Sequence, residues 1–216
     1  MLDIELQRDF FSPGGACFSE HSLAAGKNVR RLFRWARERG IPVLSTMLRL
    51  KRDRPGPLAE VPHCVEGSLG EKRISGALLA RHIDLGIRNS TDLLPDIFEH
   101  YQQVLFEKRH TDVFAHAGAE RLLTELQPDT FVICGAGTAH GIVQAVLGLR
   151  HRQHNVVLAT DAILDLDDGD AEMAWLRMLT KRAVPLTTDE ILAASRRPRS
   201  THRQWRARSR DRAMTG

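Results

Sequence analysis

Three places in this chain combine residue types that do chemistry: a carboxylate at Glu5, an ammonium at Lys108 and a glycine-rich turn over 135–141. A carboxylate gives and takes protons, a lysine beside it orients it, and glycines let a backbone approach a ligand with no Cβ in the way. The turn lies within Phe131-Val-Ile-Cys-Gly-Ala-Gly-Thr-Ala-His-Gly141. Residues 131–134 read as a short buried strand and Thr138 as the N-cap of a helix whose apolar face is Ile142, Val143, Val146 and Leu147. A strand, a tight turn and a helix start form a corner suited to anions and active sites. On these residues alone, an ordinary strand-to-helix connection is an equal reading.

The elements that must position these groups alternate along the chain. Strands are predicted at 2–6, 42–47, 101–106, 131–134, 156–160 and 183–186. Between them, 20–39 is an amphipathic helix with Leu23, Val29, Leu32, Phe33 and Ala36 on one face and Gly40 ending it. Further helices are expected at 116–126 and 171–179, with a last one starting at the capping sequence Thr188-Asp-Glu-Ile. The proline-containing stretch 51–70 reads as a long loop of the kind that carries function. This alternation predicts an α/β fold, a three-layer αβα sandwich on a mostly parallel sheet of roughly six strands. Ligands bind beyond the carboxyl ends of such strands, where Glu5, Lys108, the 135–141 turn and Asp161 are expected.

A hydrophobic content of 42% over 216 residues supports one core, placed at 1–195. No run reads as a signal peptide or a membrane span, and the sequence predicts no membrane partner. Cys17, Cys64 and Cys134 are widely spaced and odd in number, which argues against disulfides or a structural zinc and for a reducing, cytoplasmic setting. The net charge of +4 is unevenly held: 196–216 has eight arginines against Asp211, so that segment is +7 and 1–195 is −3. With few aliphatic residues, 196–216 reads as a disordered, solvated tail. The other reading, less favoured, is a nucleic-acid arm with Trp205 stacking on a base.

Ile4-Glu-Leu-Gln-Arg-Asp-Phe10, Phe106-Glu-Lys108, Cys134-Gly-Ala-Gly-Thr138 and Thr160-Asp-Ala162 resemble, in order and spacing, the motifs of the isochorismatase-like hydrolases. That superfamily also holds nicotinamidases and other cysteine hydrolases, and the resemblance runs from about residue 2 to 194. It implies a small-molecule substrate, a homo-oligomer and three catalytic positions. The family's acid, usually Asp, falls on Glu5, one methylene longer, and its lysine falls on Lys108. Its nucleophilic cysteine falls on Gly141, which implies water as nucleophile, as in the isochorismatase branch; a catalytically silent binding or assembly protein is the alternative. Cys134, inside the strand, reads as a buried hydrophobe, and Cys64 is not the nucleophile position. The resemblance places Phe10 and Phe114 on the pocket wall, with plain core packing as the other reading, and Ala136 and Gly137 at a cis peptide aiming N–H groups at substrate oxygen. His140, next to Gly141, reads as orienting water or a substrate carboxylate and equally as a helix-capping or core residue. No cofactor is implied. Nicotinamidase metal ligands fall on His63, Met47 and Arg49; methionine and arginine do not replace the missing ligands, so no metal is expected.

Overall fold

A computed structural model describes residues 1–53, 61–166 and 169–195. The chain forms β1 (Leu2–Ile4), α1 (Arg8–Phe11), α2 (His21–Arg39), β2 (Val43–Leu48), β3 (His82–Asp84), α3 (Ile97–His100) and β4 (Gln103–Lys108). It continues through α4 (Ala117–Glu125), β5 (Thr130–Ala136), α5 (Val143–His151), β6 (Asn155–Leu164), α6 (Ala171–Thr180), β7 (Val184–Leu186) and α7 (Thr188–Ala194). The strands pair in parallel as one seven-stranded sheet, β3-β4-β2-β1-β5-β6-β7.

Side-chain alternation along the strands splits the core into two layers. Leu2 and Ile4 of β1 and Phe131 and Ile133 of β5 face a layer completed by Leu122 and Leu123 of α4, Val146 and Leu149 of α5, and Met178 of α6. Cys134, on the opposite face of β5, joins Val29, Leu32, Phe33 and Ala36 of α2 and Ile191 of α7. The apolar residues of α2 recur at helical spacing, and the helix stops where Gly40 turns left-handed, its N–H returning to the carbonyls of Ala36 and Arg37. No helix among the described residues is long and apolar enough to cross a membrane.

The sheet has one strand more than expected, the edge strand β3. β4 runs two residues later than predicted, because Glu107 and Lys108 stay paired with Met47 and Leu48. β1 ends at Ile4, so Glu5 lies just beyond it. β6 continues to Leu164, pairing Ile163 and Leu164 with Gly135 and Ala136 after a register shift. Asp161 is therefore inside β6, not at its end, and its carboxylate accepts from the Thr188 N–H (2.7 Å) and hydroxyl (2.8 Å) at the start of α7. The segment 196–216, predicted to be disordered, lies outside the described residues. From β1 the sheet grows one way through β2, β4 and β3 and the other way through β5, β6 and β7, which makes the crevice above β1 and β5 the switch point.

Candidate active site

Glu5 stands at that crevice in a left-handed backbone conformation (φ 56°), uncommon for a residue with a Cβ and costing roughly 1–2 kcal/mol. The Glu5 N–H donates to the Thr46 carbonyl (3.1 Å) and the Glu5 carbonyl accepts from Gln7 N–H (2.8 Å), which holds this kink. The carboxylate is buried, 1% exposed at the residue. Lys108, the last residue of β4, reaches past the end of β2, and its Nζ donates to Glu5 Oε1 at 2.5 Å. The other two ammonium hydrogens go to the His110 and Thr111 carbonyls, both at 2.9 Å, so the full donor set is used.

The glycine turn closes the crevice from the β5 side. A Cβ on Gly135 (φ 136°) would lie 1.9 Å from the Ile4 carbonyl oxygen, so only glycine lets the end of β5 approach β1 this closely. Residues Thr138–Ile142 form a π-helical turn leading into α5. Its N-cap is Gly137, not Thr138: the buried Thr138 hydroxyl donates to Asp165 instead, and Trp175 Nε1 also reaches Asp165 at 3.3 Å. No peptide is cis among the described residues, so the expected cis bond at Ala136–Gly137 is absent. Gly137 makes the turn with φ 82°, a region open to it without a Cβ penalty. Its N–H donates to the Leu164 carbonyl (3.0 Å), while those of His140 and Ile142 return to the Gly137 carbonyl at 3.0 and 3.2 Å. These donors are committed within the protein rather than aimed at a substrate oxygen. Ala136 is buried at the end of β5, and His140 is half-buried in the turn.

Gly141 faces Glu5. A Cβ placed on it would stand 2.8 Å from Ile4 Cγ2, 3.1 Å from Glu5 Oε1 and 3.3 Å from the Thr111 carbonyl oxygen. The carboxylate of Glu5 thus reaches into the space beside residue 141 that a larger side chain would need.

Two side chains that the sequence reading left without a role hold the surrounding loop. The Gln7 amide nitrogen donates to the carbonyls of Leu48 (2.7 Å) and Glu71 (2.8 Å), and its oxygen accepts from Leu48 N–H (2.8 Å). Asp9 accepts from the N–H groups of Cys64 (2.6 Å) and Ala16 (3.1 Å), and a Cβ on Gly70 would lie 2.1 Å from its carboxyl carbon. Both belong to the motif around Glu5, which was the available signal; apart from Ala16, seven residues from Asp9, the hydrogen-bond partners are 41 to 64 residues away.

The model of the isochorismatase domain family matches residues 1–190. The chain belongs to the isochorismatase family. Its fold is shared with N-carbamoylsarcosine amidase from Thermoplasma acidophilum (TM-score 0.65, 16% identity, covering 87% of this chain and 95% of that one). The nicotinamidase/pyrazinamidase of Bacillus subtilis (TM-score 0.65, 17% identity, 85% and 97% covered) is similar too. So is an isochorismatase family protein from Desulfovibrio vulgaris subsp. vulgaris str. Hildenborough (TM-score 0.64, 20% identity, 89% and 97% covered). No curated protein matches the chain at a significant level.

In this isochorismatase-family chain the cysteines offer no activated thiol. Cys64 is buried, and burial first, then the charges of Glu5 and Asp9, push its thiol well above the ordinary range. Burial likewise raises Cys134, with the Asp3 charge adding, and pushes Cys17 up to about 11. Phe10 is wholly buried, its ring 5.6 Å from that of His63. His63 Nδ1 donates to the Val61 carbonyl at 2.7 Å, leaving Nε2 as the acceptor nitrogen. The donor set does not fit a metal: Met47 is a thioether, and the Arg49 guanidinium is bound to Glu107 (2.6 Å) beside Glu71 and Glu66. Among the described residues no group of three or more His, Cys, Asp or Glu could hold one.

The structure brings Glu5, Lys108 and Gly141 together. Phe114 packs where a Cβ on Gly148 would be 2.1 Å from its ring, under the Arg152 guanidinium at 4.1 Å.

Proposed function

We propose that this chain hydrolyses a small molecule with water, not a cysteine, as the nucleophile. The observation that carries the proposal is the fit between Glu5 and Gly141. The carboxylate reaches the space beside Gly141, and Lys108 holds it at 2.5 Å with no donor left over. A buried ion pair of this kind is costly to keep and adds little to stability on balance. Its place at the switch-point crevice favours a catalytic role.

In this reading the Glu5 carboxylate takes a proton from water as the water oxygen bonds to the electrophilic carbon. Glu5 then gives that proton to the leaving atom as the scissile bond breaks, which returns it to the carboxylate. Lys108 orients the carboxylate through both steps. Phe10 and His63 lie on the loop side of the same motif, and Ala136, Gly137 and His140 on the turn side. No step runs through a metal.

A second reading, a family member that binds a ligand without turning it over, is favoured by the N–H groups of Gly137 and His140, which are already bonded within the protein. One experiment separates the two. Hydrolysis of isochorismate, nicotinamide and simple N-carbamoyl amides is measured for the native chain, Glu5→Gln and Lys108→Ala. Turnover of one substrate that falls at least ~100-fold in both variants supports the proposal. Turnover that survives both refutes it, and a native chain that binds a panel member without converting it establishes the silent reading.

A further inference from the structure

The segment 61–71 is held between the Glu5 motif and the ends of β2 and β4. On the motif side the Gln7 amide donates to the Glu71 carbonyl (2.8 Å), and the Cys64 N–H donates to Asp9 (2.6 Å). Cys64 is near enough to the site for the charges of Glu5 and Lys108 to act on its thiol. On the strand side the Leu50 N–H donates to the Cys64 carbonyl (2.9 Å), and the Glu66 N–H to the Leu50 carbonyl (2.8 Å).

Three carboxylates meet at this second seam. Glu107 of β4 accepts from Arg49 Nη1 at 2.6 Å, and Arg49 Nε stands between Glu71 Oε2 (3.5 Å) and Glu66 Oε1 (3.6 Å). Arg109 brings a second cation: its Nη2 is 3.5 Å from Glu66 Oε2, and its Nη1 donates to the Arg49 carbonyl at 3.2 Å. The Glu107 and Glu71 side chains are 12% and 15% exposed, so solvent screens this cluster less than a surface ion pair. Among the described residues neither of them has a cationic partner other than Arg49. One guanidinium, its donors fixed in a planar fork, therefore joins a carboxylate of β4 to two on the loop. Without it, the two pieces of chain would face each other with like charges.

We propose that Arg49 is a positioning residue: it fastens 61–71 to the strand ends and so fixes the loop side of the Glu5–Lys108 crevice. It acts through the loop, since the Lys108 ammonium spends its donors on Glu5, His110 and Thr111. The effect on turnover rests on the hydrolytic reading; the fastening of the loop does not.

The test compares the native chain with Arg49→Gln and Arg49→Gln/Glu107→Gln, by hydrogen exchange followed by mass spectrometry and by turnover of the substrate panel above. Amides of 61–71 should exchange at least ~10-fold faster in Arg49→Gln, with the core strands unchanged. In the same variant kcat/KM should fall by about 100-fold. The double variant removes the repulsion across the seam and leaves two amides that can pair, so slow exchange should return and kcat/KM should recover at least ~10-fold. A loss through general destabilisation would not be rescued by removing a second charged group. Native exchange in Arg49→Gln overturns the proposal, as does faster exchange with kcat/KM unchanged, or a double variant that exchanges as fast as the single. If the native chain turns over no panel member, the hydrolytic reading fails and exchange alone decides: a faster loop rescued in the double variant upholds the fastening, and an unchanged loop overturns it.

Discussion

Adding one methyl group at residue 141 is the sharpest probe of how this site is built. In Gly141→Ala the new carbon would stand 2.8 Å from Ile4 Cγ2 and 3.1 Å from Glu5 Oε1, against about 3.5–4.0 Å for a relaxed carbon contact. Ile4 Cγ2 is the tightest contact, and Glu5 Oε1 and the Thr111 carbonyl, both held by Lys108 Nζ, would each have to give by a few tenths of an ångström. Overpacking on this scale costs about 2 kcal/mol, a fall in Tm of roughly 4–8 °C for a chain of this size. Moving the carboxylate off Lys108 should also lower kcat/KM by about 100-fold. Glu5→Asp, one methylene shorter, withdraws the oxygen. The two changes should therefore couple, the double variant being more stable than the sum of the singles by about 1 kcal/mol. Urea denaturation of the native chain, both singles and the double measures this directly. Gly141→Cys follows the same logic: damaging beside Glu5, tolerated beside Glu5→Asp. Additivity within ~0.5 kcal/mol would refute the reasoning, because it would mean that Glu5 does not share the space of residue 141.

Two further outcomes test the surroundings. His116, buried at the N-cap of α4, has its pKa lowered by burial, with the Lys108 charge adding. The unfolded chain then holds this proton more tightly, so the stability His116 contributes is complete above about pH 6.5 and is lost as pH falls through the lowered folded value. The Tm difference between pH 7.5 and 5.5 should accordingly shrink in His116→Asn, and a difference as large as in the native chain would show that the group does not titrate on unfolding. Since all three thiols are raised, Cys17 to about 11, iodoacetamide at pH 8 should label the native chain slowly and leave hydrolysis intact; rapid labelling with parallel loss of activity would point to a thiol nucleophile and away from water.

Elements with strong local patterns were legible in the sequence. The apolar face of α2, Gly40 at its end and the run 131–134 each announce themselves within a few residues. β3 did not, because His82–Asp84 is short, half-exposed and at the sheet edge, where little burial shapes the composition. Asp161 reads as a strand end because a carboxylate interrupts the apolar run, yet its charge is absorbed by Thr188, 27 residues on. At the site, Glu5 and Lys108 were identified as residue types at strand ends, but their 2.5 Å approach depends on the sheet order, which sequence spacing does not encode. The partners of Phe114 were hidden for the same reason: Gly148 and Arg152, against which its ring packs, come some 34 to 38 residues later in the chain.

The central position of β1 has a consequence for the order in which the molecule can be made. β1 pairs on one side with β2 and on the other with β5, whose partner residues are 133–135. At 5–20 residues per second, roughly 7–27 s separate the synthesis of Glu5 from that of Gly141. Through that interval one edge of β1 has no partner, and the Lys108 ammonium can meet Glu5 before the glycine turn exists to close over them. β1 is only Leu2–Ile4, and so short an edge limits the backbone that a nascent chain exposes to wrong pairing. Docking of β5 on β1 is then the step that closes the crevice, and β6 and β7 extend the sheet outside it.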